Sequence, residues 1–117
     1  MKKILVVDDD VDILNVVDIM LKQHDFVVKT TNEWRTISRT IKRFIPDLIL
    51  LDIDLRGADG GDLCIKIKKS KVTQHLPVIL FSGIMPEDYL KVCNAQGYLN
   101  KPFESSDLLK IIQQNLN

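Results

Sequence analysis

Short runs of consecutive apolar residues alternate along this chain with stretches in which apolar positions recur three or four apart. The runs are Ile4 to Val7, Leu48 to Leu51 and Val78 to Phe81, with two weaker ones at Phe26 to Thr30 and Gly97 to Leu99. A continuous apolar run this short predicts a strand covered on both faces. The less apolar run at residues 26–30 suits the edge of a sheet, and 97–99 is a brief strand. Between the runs lie helical patterns: Val11, Leu14, Val17 and Leu21; then Trp34, Ile37, Ile41 and Phe44; then Leu63, Cys64 and Ile67; and finally Leu109, Ile112 and Leu116. A short helix is predicted from Pro86 to Cys93, with proline at its first position and Glu87 and Asp88 at its positive end. Asp9 or Asp10 is the predicted cap of the first helix, which ends near His24, and Asn32 that of the second, which Pro46 stops. Arg56 to Gly61 has loop composition, and Asn94 suits a left-handed helix end. The last helix runs from about Ser105 to Leu116. Ile13, Val16 and Met20 form a second apolar row beside the first on the opening helix. That row is either more core or a partly exposed docking face.

Strictly alternating strands and helices imply a parallel sheet with helices on both faces and right-handed crossovers. The 117 residues make one domain, 1–117, of α/β doubly wound architecture. An eight-stranded barrel would need roughly twice the length. Lys+Arg and Asp+Glu are equal at 16 each, so no basic footprint for nucleic acid exists. Met1-Lys2-Lys3 precedes only a short apolar run, which fits neither a signal peptide nor a membrane span, so a cytoplasmic location is expected. Cys64 and Cys93 lack zinc-site spacing and read as reduced structural thiols.

Three of the apolar runs end in chemistry. Ile4 to Val7 runs into Asp8, Asp9 and Asp10; Leu48 to Leu51 into Asp52; Val78 to Phe81 into Ser82-Gly83. The fifth strand is followed by Lys101. In a parallel sheet all these ends share one edge, the edge where open α/β sheets bind ligands. Each residue taken singly has a plain reading: Asp8 to Asp10 as helix caps, Asp52 as a loop acid, Lys101 as a solvated turn lysine. Their convergence on one edge decides for function. Crowded carboxylates call for a hard cation with oxygen ligands, Mg²⁺ first and Mn²⁺ as a substitute. Lys101 adds a point charge, Ser82 a hydroxyl donor, and Gly83 room for a ligand to approach. A carboxylate nucleophile at Asp52, a metal and a lysine are the parts a phosphoryl transfer needs. His24 and His75 have no acidic or nucleophilic sequence neighbours and read as surface residues, and Trp34 as helix packing.

The segments ILVVDDD, LILLDIDLRGADGG, VILFSG and YLNKPF, in that order, resemble a bacterial two-component response-regulator receiver domain over the whole chain. The resemblance implies a flavodoxin-like five-stranded parallel sheet of order 2-1-3-4-5. It implies Asp52 as phosphoacceptor, Asp8 and Asp9 as the acidic pair with Asp9 the direct metal ligand, and the Asp54 backbone carbonyl as a further ligand. Ser82 takes the switch-hydroxyl position, Lys101 the phosphate-binding lysine and Tyr98 the switch aromatic, and the Lys101-Pro102 bond is expected cis. The implied partner is a sensor histidine kinase or a histidine phosphotransfer protein. The implied output is a switched protein surface or a phosphorylation-dependent homodimer, in a stand-alone receiver or one cut from a longer regulator. Such a domain is not an enzyme beyond its own phosphorylation and dephosphorylation. The chain departs from the family in three places: Arg56 stands where proline is usual, Asp54 carries an extra charge beside the acceptor, and the segment from Ser82 to Lys101 is shorter than usual. Two alternatives from other classes are a receiver-shaped interaction module that works without phosphate, and a small haloacid-dehalogenase-like phosphohydrolase built on Asp52 and Asp54.

Overall fold

A computed structural model describes residues 1–83 and 93–116. Five parallel strands form the sheet: β1 (Lys3–Val7), β2 (Val27–Thr31), β3 (Leu48–Asp52), β4 (Val78–Ser82) and β5 (Gly97–Asn100). Their order is β2-β1-β3-β4-β5, the expected doubly wound arrangement. β3 and β4 are buried along their whole length, and β1 from Ile4 onward. The edge strands β2 and β5 are half covered, β2 as its mixed sequence predicts.

Side chains alternate between the two faces of a strand, so an all-apolar strand feeds two cores. On one face Leu5, Val7, Ile49, Leu51, Val78 and Leu80 pack under α2 (Ile37–Phe44) and α3 (Gly60–Lys69) through Ile37, Ile41, Leu63, Cys64 and Ile67. On the other, Ile4, Val6, Leu48, Leu50, Ile79 and Phe81 meet α1 (Val11–Lys22) and the C-terminal helix Ser105–Asn115. Leu14, Val17 and Leu21 are the buried face of α1, while Val11, Val16 and Ile19 are exposed. Ile13 and Met20 are half-buried, so the second apolar row of α1 is shared between core and solvent.

Several local expectations shift. Asp10, whose side chain accepts from Asp12 N, caps α1, and the helix closes at Lys22. Asn32 does not cap the second helix. Glu33 caps a 3₁₀ turn over Trp34–Thr36 instead, its carboxylate accepting from Arg35 N, and α2 begins after that turn. Ile45 adopts φ 53° at the end of α2, immediately before Pro46. The C-terminal helix buries Leu108 and Ile112, not Leu109, which is half-buried with Leu116. Leu108 and Ile112 lie four apart on one face, and Leu109 sits one position round from it. Asn94 has the expected left-handed conformation, φ 57°. The helix predicted around Pro86, Glu87 and Asp88 lies outside the described residues. Cys64 and Cys93 are buried and unoxidised, with Cys64 Sγ donating to the Cys93 carbonyl at 3.3 Å. Burial, reinforced by Cys93, pushes the Cys64 thiol up to about 12, so it remains an unreactive thiol at neutral pH. Both histidines are exposed, as read from the sequence. No helix among the described residues is long and apolar enough to cross a membrane.

Candidate functional site

Parallel strands place their last residues on one edge, and four of them deliver the site. Asp8 follows β1, Asp52 ends β3, Ser82 ends β4, and Lys101 follows β5. The β4 and β5 tips are tied by Lys101 N donating to the Ser82 carbonyl at 2.8 Å, and the Lys101-Pro102 bond is cis. Asp8 and Ser82 are 0 % exposed and Asp52 is 1 % exposed, so the polar groups here have surrendered bulk water. Each has a partner. Asp8 Oδ1 accepts from Asp10 N at 2.9 Å and Asp8 Oδ2 from Lys101 Nζ at 2.8 Å. Asp52 Oδ1 accepts from Asp54 N at 3.2 Å and lies 3.4 Å from Lys101 Nζ. The ammonium also sits 4.8 Å from the centre of the Phe81 ring, which in turn meets Phe103 edge-on.

One lysine does not neutralise this cluster. Burial first, then the charge of Asp8, pushes the Asp52 carboxyl up to about 7 against the pull of Lys101. Burial and the hydrogen bond and charge of Asp8 likewise raise Asp9. For Lys101, burial alone would lower the pKa, but the hydrogen bond to Asp8 and the charges of Asp52 and Asp8 outweigh it and raise it. The site therefore wants more positive charge. Asp8, Asp9 and Asp52 each offer an oxygen within 4.8 Å of the others. The donor set is all carboxylate, hard and gathered around one point, so these residues fit the ion in kind.

Of the residues singled out in the sequence, Asp8, Asp9, Asp52 and Lys101 come together. Ser82 is at the site, but its hydroxyl donates to Asp54 Oδ2 at 3.0 Å. A Cβ on Gly83 would meet nothing within 4 Å. Tyr98 is 43 % exposed on β5, not packed inward.

Three features went unread in the sequence. The segment Arg56 to Gly61 is not simply loop. Asp54–Leu55 pairs antiparallel with Ala58–Asp59 around Gly57 at φ 80°, and α3 starts directly at Gly60 with Asp59 as cap. Trp34 is not helix packing alone: its Nε1 donates to the Arg56 carbonyl at 2.8 Å, anchoring that hairpin. Arg56 Nε in turn lies 3.7 Å from Asp9 Oδ2, a long pair whose guanidinium is almost wholly exposed. The third is Gly60. A Cβ there would lie 2.1 Å from the Asp52 carbonyl oxygen and 2.7 Å from Ile53 Cα. Those are backbone atoms and cannot rotate away. Gly60→Ala should lower stability by about 3 kcal/mol, the upper end of overpacking costs. A urea titration checks this; a midpoint unchanged from wild type would show that the α3 start can move off β3.

Comparison with known proteins comes to the same place. A family model described as the response regulator receiver domain matches residues 4–113. Chemotaxis protein CheY4 of Vibrio cholerae superposes with TM-score 0.92 at 24% identity, covering 99% of each chain. A CheY-like response regulator receiver domain protein from Methanospirillum hungatei gives TM-score 0.89 at 26% identity, over 97% of this chain and 92% of its own. NtrX of Brucella abortus gives TM-score 0.86 at 31% identity over 97% of this chain, which spans only 26% of that longer protein.

Proposed function

Because the chain belongs to the response-regulator receiver domain family of two-component signalling, we propose that residues 1–117 form one receiver domain whose Asp52 accepts a phosphoryl group. The donor is a phosphohistidine on a sensor kinase or phosphotransfer protein, in the cytoplasm. Membership in that family leaves the phosphohydrolase alternative without support.

Asp8, Asp9, Asp52 and the backbone carbonyl of Asp54 would hold Mg²⁺. When bound, the ion neutralises the carboxylates and the charge that builds on the phosphoryl oxygens. The chain's own residues do the rest. A carboxylate oxygen of Asp52 attacks phosphorus in line; the O–P bond forms as the P–N bond breaks, and the electron pair leaves on the imidazole nitrogen. Burial strips water from that carboxylate, and the fixed strand tip holds its direction. Lys101 supplies a preorganised cation for the transferring oxygens. Ser82 then donates to a phosphoryl oxygen, and Tyr98, exposed before the event, fills the space left behind. That exchange biases a protein-binding or dimerising surface at the β5 side of the sheet.

The observation that carries this reading is the lysine ammonium 2.8 Å from one buried carboxylate and 3.4 Å from the other. Intact mass after incubation with acetyl phosphate and Mg²⁺ tests it. One phosphoryl group should be gained, and none when a chelator replaces the metal. A protein that takes up no phosphate under either condition would overturn the proposal.

A further inference from the structure

Ser82 carries the proton that the phosphorylated state needs, and in this structure that proton is already committed. Ser82 Oγ donates to Asp54 Oδ2 at 3.0 Å, across 28 positions of sequence. The serine is fully buried at the tip of β4, whereas Asp54 is exposed at the start of the hairpin that follows β3. Asp54 N is itself tied to the acceptor, donating to Asp52 Oδ1 at 3.2 Å. One residue thus touches the phosphoacceptor through its backbone and the switch hydroxyl through its side chain.

We propose that Asp54 is a positioning residue that holds Ser82 in the resting state, by offering a carboxylate acceptor that competes with the phosphoryl group on Asp52 for the serine proton. This rests on the reading of Asp52 as phosphoacceptor. A hydroxyl has one proton to donate. Ser82 cannot bond a phosphoryl oxygen and Asp54 at full strength together, so each binding event weakens the other by the same factor. The hairpin is held in place for this role: Trp34 Nε1 anchors the Arg56 carbonyl, and Gly60 N donates to the Ile53 carbonyl at 2.9 Å. The acceptor is therefore presented on a braced turn. The consequence is a receiver biased toward its resting arrangement, which demands more of the phosphoryl group before it switches.

The test uses beryllofluoride, a phosphoryl mimic, at saturating Mg²⁺, with affinity read by calorimetry. The proteins are the wild type, Asp54→Ala, Asp54→Asn, Ser82→Ala and the Asp54→Ala/Ser82→Ala double variant. Asp54→Ala removes the acceptor and the charge; Asp54→Asn removes the charge and keeps an acceptor oxygen. Asp54→Ala should bind about tenfold more tightly than wild type, within the usual range of coupling between two sites. Asp54→Asn should fall between the two. In the Ser82→Ala background the Asp54→Ala change should have no effect, as a coupled pair requires. Equal affinities for Asp54→Ala and Asp54→Asn would reduce the residue to a charge and overturn the proposal. An Asp54→Ala effect that persists without the serine hydroxyl would do the same. A wild type that binds no beryllofluoride at all overturns the phosphoacceptor reading, and this inference with it. Tight wild-type binding that is indifferent to Asp54→Ala overturns the inference alone.

Discussion

In metal-free buffer at pH 8, the Asp52→Asn protein should melt several degrees above the wild type. Asp52 is buried, and burial together with the charge of Asp8 raises its carboxyl from 3.8 to about 7 despite Lys101. The folded state therefore holds this proton more tightly than the unfolded chain does. Between about pH 4 and 7 the native protein binds the proton and the unfolded chain does not, so stability falls as pH rises through that window and levels off above it. Each tenfold difference in proton affinity between the folded and unfolded states corresponds to about 1.4 kcal/mol, which puts the penalty at pH 8 on the order of a few kcal/mol. Asparagine removes the charge and keeps an oxygen for the Asp54 N–H, so most of that penalty should return as stability. For a domain of this size that corresponds to a gain on the order of 10 °C. Asp52→Ala should rise less, because it also gives up that hydrogen bond and some packing. At pH 4.5 the difference should shrink toward zero, since the wild-type carboxyl is then protonated. Adding Mg²⁺ should reverse the order at pH 8: the wild type gains stability by binding the ion, and the variants gain less. Scanning calorimetry at the two pH values, with and without Mg²⁺, checks all of this. An Asp52→Asn protein that melts below the wild type in chelator at pH 8 would show that the carboxylates are not in conflict.

Lys101→Ala should cut the rate of phosphorylation by acetyl phosphate about a hundredfold or more, the usual loss when a preorganised electrostatic contact to the transition state is removed. The ammonium bridges Asp8 at 2.8 Å and Asp52 at 3.4 Å. Without it Asp52 loses the pull of a neighbouring cation that holds its carboxyl down, and the carboxyl climbs further. In metal-free protein the Asp52 carboxyl of the variant should therefore titrate at a higher pH than that of the wild type. Quantified intact mass over time at saturating Mg²⁺ follows the rate, and a metal-free NMR titration of the Asp52 carboxyl separates the two effects. A variant that keeps the wild-type rate would remove Lys101 from the chemistry.

What the sequence made legible, and what it did not, divides along physical lines. Leu48 to Leu51 and Val78 to Phe81 are apolar at every position because both faces of an interior strand are covered, and that signal is local. Once those strands are parallel, topology alone brings Asp8, Asp52 and Lys101 to one edge. The misplaced cap at Asn32 has a different origin. Two acceptors stand side by side, and which one stops the backbone depends on the 3₁₀ turn that Glu33 and Arg35 form together. The choice of Leu109 over Leu108 is an error of one position, which on a helix is a rotation of about 100°. The hairpin between Asp54 and Asp59 reads as loop because its residues, Arg56, Gly57 and Asp59 among them, are those that turns select. The Ser82–Asp54 and Trp34–Arg56 hydrogen bonds join residues 28 and 22 positions apart. No periodicity announces such pairs. For Gly60 a signal is present in the doubled glycine that follows Asp59; the close backbone approach it serves emerges only when α3 is laid against β3.

The central claim is that an oxygen of Asp52, and of no other carboxylate, takes the phosphorus. An acyl phosphate is reduced by borohydride to the alcohol, so a phosphorylated aspartate becomes homoserine, and peptide mass spectrometry then locates it. After treatment with acetyl phosphate and Mg²⁺, homoserine should appear at position 52 and nowhere else, and in the Asp52→Asn protein it should not appear at all. Homoserine at position 8, 9 or 54, or a phosphorylated protein that yields none at 52, would contradict the assignment.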